Sequence, residues 1–155
     1  MLAVYCANMA PPFVRFWPGW NPPISERYLG GHKTVIGFFF GIVVAVAVSF
    51  LQDRAQWTGN LISYDRWILL GVAAGLGAIA GDSLKSFFKR RFNIAPGHAW
   101  IPFDQLDFVF GGLLVLSFWY RFSWPDIFWI LAFSFIADII INHVSWYLRI
   151  RTTRW

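Results

Sequence analysis

From Thr34 to Leu51 the chain runs for eighteen residues without a charged side chain. At a helical rise of about 1.5 Å per residue, such a run is close in length to the ~30 Å hydrocarbon core of a bilayer. Inside lipid every backbone N–H and C=O must be satisfied within the segment, so a helix is the expected conformation. Further apolar runs extend from Trp67 to Gly81, from Asp107 or Phe108 to about Tyr120, and from about Ile127 to Leu148. Residues 1–14 are also uncharged, but Asn8 and Pro11-Pro12 interrupt them and leave too little for an ordinary span. The expected fold is therefore all-α, a polytopic transmembrane helical bundle of about five helices with the first short or truncated. With 155 residues, it forms one membrane-embedded domain over 1–155. Composition agrees: 57% of residues are hydrophobic, 14% charged, and mean hydropathy is +0.52. Many of the ten Trp and seventeen Phe sit near the ends of the apolar runs, where interfacial anchors belong.

Small residues organise the run from Trp67 to Gly81. Gly71, Ala74, Gly75, Ala78 and Gly81 recur at three- and four-residue spacing, which lets another helix approach closely. This helix is expected to be central, and Gly111-Gly112 predicts close packing in the next run. Such faces serve contacts within a chain or between copies, so a homodimer is one possible assembly. Near the middle of the last run, Asp138 and Asn142 share a helical face that is expected to turn inward, because an ionisable group in lipid is costly.

The charges that remain are gathered between apolar runs. If the loop after Gly81 faces the cytoplasm, that side carries Arg27, Lys33, Lys85, Lys89, Arg90, Arg91, Arg149, Arg151 and Arg154, against Arg54, Arg66 and Arg121 opposite. That is the bias expected of cytoplasmic flanks. The net charge of +5 is spread along these flanks and not over one basic surface, so the expected partners are anionic headgroups and a phosphorylated substrate, with no nucleic acid. Cys6 is the sole cysteine, which excludes an internal disulfide and a cysteine metal cluster.

The chemistry-bearing stretch is Gly81-Asp82-Ser83-Leu84-Lys85-Ser86-Phe87-Phe88-Lys89-Arg90-Arg91, followed by Asp104-Gln105-Leu106-Asp107. If the helix continues past Gly81, Asp82, Lys85, Ser86 and Lys89 share a face. Pro96, Gly97 and Pro102 then turn the chain back, and Asp104 and Asp107 fall on one side of the next helix's first turn. Converging Asp82, Asp104 and Asp107 would repel one another without a cation among them, and oxygen ligands of this kind suit one or two Mg²⁺ ions. On the same argument, removing one carboxylate is expected to relieve repulsion and stabilise the metal-free protein. Lys85, Lys89, Arg90 and Arg91 supply charge to a phosphate chain. Carboxylates gathered with cations suit phosphoryl or nucleotidyl transfer, where alignment and charge neutralisation are most of the catalysis. Gly30-Gly31-His32-Lys33-Thr34 offers close backbone approach, a cation and a hydroxyl to a phosphate, or is an ordinary basic helix flank. The plainer alternative makes the basic residues headgroup contacts and the aspartates structural ion pairs.

Residues 81–112, from Gly81-Asp82-Ser83-Leu84-Lys85 through Phe103-Asp104-Gln105-Leu106-Asp107 to Gly111-Gly112, resemble the signature of the CDP-archaeol synthase family. Asn8-Met9-Ala10-Pro11 and Gly30-Gly31-His32-Lys33-Thr34 also resemble family features. The resemblance implies a Mg²⁺-dependent membrane cytidylyltransferase that joins CMP from CTP to a lipid phosphate such as 2,3-bis-O-geranylgeranylglycerol 1-phosphate and releases pyrophosphate. It implies that Asp82, Asp104 and Asp107 associate with metal, that Lys85, Ser86, Lys89 and Arg90 handle phosphates, and that His32, Lys33 and Thr34 complete the nucleotide pocket. Two rivals are a CDP-alcohol phosphotransferase, whose aspartate pattern is absent from this chain, and a noncatalytic transporter or lipid-binding protein in which Asp138 lines a path.

Overall fold

The long apolar run begins where Thr34 caps it, its side-chain oxygen accepting a hydrogen bond from the Gly37 N–H at 3.2 Å. The structure is a computed structural model that describes residues 1–17, 19–31, 33–56, 60–95 and 98–149, with the backbone alone for Arg15, Phe16 and Ser145. Within them run α1 (Leu2–Met9), a 3-10 turn (Pro11–Phe16), α2 (Val35–Ala55), α3 (Trp67–Arg91), α4 (Phe103–Leu116) and α5 (Trp124–Tyr147). Among the described residues the extended pairing is limited to an isolated antiparallel bridge between Pro23 and Thr34. The fold is the expected all-helical one, and Val35–Ala55, Trp67–Arg91 and Trp124–Val144 are long and apolar enough to cross a membrane.

Boundaries differ from the sequence reading in two places. Helix α2 passes through Asp53 and Arg54, expected in the polar connection, and stops only at Gln56, which takes a left-handed conformation. Arg54 suits that last turn, where a cation meets the negative end of the helix dipole. Helix α4 is 14 residues long and ends at Leu116, so it is only about 21 Å in length.

Helix α3 is the axis of the bundle, packed against α1, α2 and α4. Its small residues are used within the chain: a Cβ at Gly75 would stand 2.9 Å from the Ile42 Cα on α2, and one at Gly77 2.6 Å from the Gly111 carbonyl oxygen on α4. At Gly81 a Cβ would overlap the Asp107 carbonyl, and at Gly111 it would overlap the Gly77 carbonyl. Glycine at these positions is what brings the backbones of α3 and α4 together. Helix α1, short as expected, is wedged among α2, α3 and α4 with Val4 and Ala7 fully buried. Helix α5 packs on α4 and leaves Phe128, Trp129, Phe133, Ile136 and Ile140 exposed, as a lipid-facing helix would. Half-buried Asp138 accepts a hydrogen bond from the Asn142 amide one turn on, at 2.8 Å.

Candidate active site

Helix α3 runs unbroken into the charged stretch, so Asp82, Lys85, Ser86 and Lys89 follow one another along one stripe of its last turns. The glycine contact beside them sets α4 close enough for Asp104 and Asp107 to reach that stripe. The loop before α2 is folded back on itself by backbone hydrogen bonds, Ile24 N–H to Lys33 C=O at 2.8 Å and Val35 N–H to Pro22 C=O at 3.2 Å. The Asn21 side chain accepts from the Ile36 N–H at 3.3 Å, satisfying another free donor at the start of α2. This loop delivers Lys33 to the cluster.

Three lysines and three aspartates meet there. Lys85 Nζ lies 3.2 Å from Asp82 Oδ1, 3.3 Å from Asp104 Oδ1 and 2.8 Å from Asp107 Oδ2. Lys33 is in direct contact with Asp82, and Lys89 donates to both Asp104 oxygens at 3.0 and 2.9 Å. Formal charge is balanced within the six. Asp107 is the most enclosed, its side chain 6% exposed, with its Oδ2 in an ion pair to the Lys85 ammonium. Burial, aided by the Lys85 ammonium and opposed by the Asp107 carboxylate, lowers the Lys33 pKa to about 7.

The remaining expected residues are placed differently. Lys89 also donates to the His98 carbonyl at 2.6 Å, so it ties the 92–103 loop to the cluster. Ser86 is buried and its hydroxyl donates to the Asp82 carbonyl at 2.9 Å. One Arg90 nitrogen donates to the Ile94 carbonyl at 2.8 Å, closing the end of α3, while the other points toward Gly30. Thr34 caps α2 and lines the adjacent cavity. His32, Arg151 and Arg154 lie outside the described residues. Asn21 escaped the sequence reading: beside Pro22-Pro23 it reads as a loop residue, and its capping role needs the loop to fold back on α2.

Two hollows flank the cluster. A cavity of about 680 Å³ is lined by Asn8, Asn21, Lys33, Thr34 and Asp82, with Pro11, Phe38 and Ile79 among its apolar walls. A groove of about 660 Å³ runs between α3 and α4, lined by Leu84, Phe88, Trp100, Phe103, Leu106, Phe110, Leu114 and Val115, with Lys85 and Asp107 at its polar end. Among the described residues none lines both, but Asp82 and Lys85, one from each, form an ion pair.

Among the described residues no group of acidic or histidine side chains is closed around a metal position. The reason is visible in the geometry: the three carboxylates are each directed at the Lys85 ammonium, which spaces them apart. Their chemistry still fits a hard divalent cation, because all three offer carboxylate oxygens converging within 3.3 Å of one point, the Lys85 ammonium. The expectation that the metal-free carboxylates are uncompensated is corrected here, since each has a lysine partner.

Helices long and apolar enough to cross a membrane, with a charge-balanced cluster at the end of one of them, a cavity carrying Asn, Lys and Thr side chains in its wall on one side and an apolar groove on the other, are the arrangement of a membrane-embedded enzyme. Comparison with known proteins agrees. Residues 23–155 match the CarS-like family, described as CDP-archaeol synthase, and the chain belongs to that family. It is 34% identical over 138 residues to a CDP-archaeol synthase of Methanosphaerula palustris, covering 84% of this chain and 83% of that one. It is 29% identical over 172 aligned positions to a CDP-archaeol synthase of Pyrobaculum arsenaticum, covering 99% of both. A solved structure described as an intramembrane enzyme for archaeal membrane lipids biosynthesis is similar with a TM-score of 0.76 at 28% identity, over 92% of this chain and 89% of that one.

Proposed function

We propose that residues 1–155 act as one membrane-embedded cytidylyltransferase domain, transferring CMP from CTP to an isoprenoid ether lipid phosphate, 2,3-bis-O-geranylgeranylglycerol 1-phosphate or a close analogue. The products are the CDP-lipid and pyrophosphate. The observation that carries this reading is the Asp82–Lys85 ion pair standing at the seam between a cavity whose wall includes Asn8, Asn21, Lys33 and Thr34 and an almost wholly apolar groove. A reaction between a water-soluble triphosphate and a lipid phosphate needs both compartments to open on one set of charges.

The 680 Å³ cavity takes the nucleotide, with Lys33 beside its phosphates and the Asn8 and Asn21 amides within the wall to meet its polar edges. The groove takes an isoprenoid chain, whose phosphate then stands at Lys85. The lipid phosphate is already an anion, so no strong general base is required. One of its oxygens forms a bond to the α-phosphorus of CTP while the bond from that phosphorus to the β-phosphate oxygen breaks, and the electron pair leaves with pyrophosphate. Lys33 and Lys85 hold the two anions together against their repulsion, and Lys89 fixes Asp104 from behind. Asp82, Asp104 and Asp107 are the groups that would hold Mg²⁺, which supplies charge neutralisation at the phosphates when bound. The Lys and Arg bias of the flanks supports a cluster that faces the cytoplasm, where CTP is available.

The decisive experiment incubates purified protein with α-labelled CTP, Mg²⁺ and a panel of isoprenoid-ether and acyl-ester lipid phosphates. Labelled lipid is expected, with the isoprenoid-ether substrate preferred. Folded protein that labels no member of the panel refutes the reading.

A further inference from the structure

Lys85 occupies the place a metal ion would need. Its ammonium lies within 3.3 Å of an oxygen from each of Asp82, Asp104 and Asp107, contributed by two helices. No other lysine of the cluster has this position: the ion pair of Lys33 is with Asp82, and that of Lys89 is with Asp104. A divalent cation cannot approach all three carboxylates while a unit positive charge stands among them, since like charges at this range and in this degree of enclosure repel strongly. Nor is there a charge deficit to draw one in, because the three aspartates are already matched by Lys33, Lys85 and Lys89. What changes the balance is a triphosphate. Seated in the cavity that Asp82 lines, it meets the ammonium through the Asp82–Lys85 pair, offers it a new set of oxygens before the lipid phosphate arrives at the groove, and brings enough negative charge for both cations to be accommodated.

We propose that Lys85 is an internal counter-cation that holds the carboxylate triad in its metal-free state, and that divalent metal enters only as a polyphosphate draws the Lys85 ammonium out. The side chain has the means for this exchange: four methylenes give the ammonium reach, and its stem lines the apolar groove beside the cluster. Asp107 Oδ2, the most enclosed of the three carboxylate oxygens at Lys85 and 2.8 Å from its ammonium, is the group most exposed to a loss of compensation when the ammonium leaves. Metal and nucleotide then bind with strong mutual dependence, and the apo enzyme does not fill with free Mg²⁺. The inference rests on the proposed metal role of these carboxylates, and its test is independent of turnover.

The test is Mn²⁺ binding to the detergent-solubilised full chain without nucleotide, read from the free Mn²⁺ signal by electron paramagnetic resonance. Wild type is expected to bind weakly, and Lys85→Met to bind tighter by at least about tenfold, because it vacates the centre of the triad. Lys89→Met removes the same charge from the edge of the cluster and is expected to change affinity much less. Equal gains in the two variants reduce the effect to net charge and overturn the proposal, as does wild-type Mn²⁺ binding as tight as that of Lys85→Met. If Lys85→Met does not fold, Lys85→Gln replaces it. If neither folds, the wild-type titration decides, since tight nucleotide-free binding refutes the exchange, Mn²⁺ taken up with tripolyphosphate beyond a protein-free control at the same concentrations supports it, and no excess over that control refutes it. Failure of the labelled-CTP assay with the expected Mn²⁺ pattern would reject the reaction while leaving the cation exchange in place.

Discussion

Gly111→Ala probes the join on which the whole site depends. A methyl group there would overlap the Gly77 carbonyl and stand 2.8 Å from the Gly81 nitrogen and 2.9 Å from the Gly81 Cα. All of these are backbone atoms of α3, so no side chain can swing aside. Restoring ordinary contact requires α4 to retreat by roughly 1 Å, a strain of the kind that costs about 1–3 kcal/mol in a packed interior. Helix α4 carries Asp107 and Asp104, so their distances of 2.8 and 3.3 Å to Lys85 would lengthen toward 4 Å. A displacement of that size at reacting groups costs on the order of 100-fold in rate. The assay compares CMP transfer from labelled CTP with thermal unfolding in the same detergent. The expected result is a rate loss of about 100-fold with the unfolding midpoint lowered by several degrees and the protein still folded at the assay temperature. A Gly111→Ala enzyme of near-normal rate would refute the claim that the glycine contact sets the spacing of the site.

Other perturbations test single parts. Asp107→Asn should abolish transfer while changing stability little, because the Lys85 ammonium keeps Asp82 and Asp104 within 3.3 Å; a large fall in the unfolding midpoint would refute this shared pairing. Lys33, with its pKa lowered to about 7 against an ordinary 10.5, binds fewer protons folded than unfolded between those values, so its burial cost is relieved as pH rises through that window. A triphosphate needs the ammonium, so CTP affinity should fall as pH rises above about 7, with proton uptake detectable by calorimetry in buffers of different ionisation enthalpy. Lys33→Arg, which stays charged, should flatten that profile, and an unchanged slope would exclude Lys33 as its source. Leu114→Trp narrows the apolar groove and should raise the KM for the lipid phosphate severalfold with little change in that for CTP; equal changes in both would argue against separate compartments.

Much of this architecture is legible in the residues. Uncharged runs locate α2, α3 and α5 because lipid admits few alternatives to a helix. The spacing of Asp82, Lys85 and Lys89 gives their common stripe once α3 is taken to continue, and the small-residue ladder marks α3 as the central helix. What the residues do not disclose is which cation answers which anion. Asp82, Asp104 and Asp107 read as mutually repelling because their partners lie elsewhere in the chain: Lys33 is delivered by a loop, and Lys85 reaches α4 only through the glycine contact. Ser86 and Arg90 carry phosphate-binding chemistry, yet their directions are set locally, by a hydroxyl turned to the preceding helical turn and a guanidinium closing the helix end. The early end of α4 has no sharp signal either, since the apolar pattern continues through Phe118-Trp119-Tyr120 after the helix has stopped.

That early end bears on the membrane itself. Phe118, Trp119 and Tyr120 follow α4 as an aromatic belt, the kind of residues that settle at the headgroup level. Measured from such an anchor, the 14 residues of α4 climb about 21 Å through a hydrocarbon layer of about 30 Å. On that measure Asp104 and Asp107 would sit below the opposite headgroup plane, and the lipids beside α4 would have to sink toward them to cover the mismatch. The bilayer would in this sense be a working part of the enzyme, local thinning bringing a lipid phosphate down to the lysines without lifting its chains out of the membrane. Reconstitution into bilayers of graded thickness should accordingly change the KM for the lipid while leaving that for CTP nearly constant.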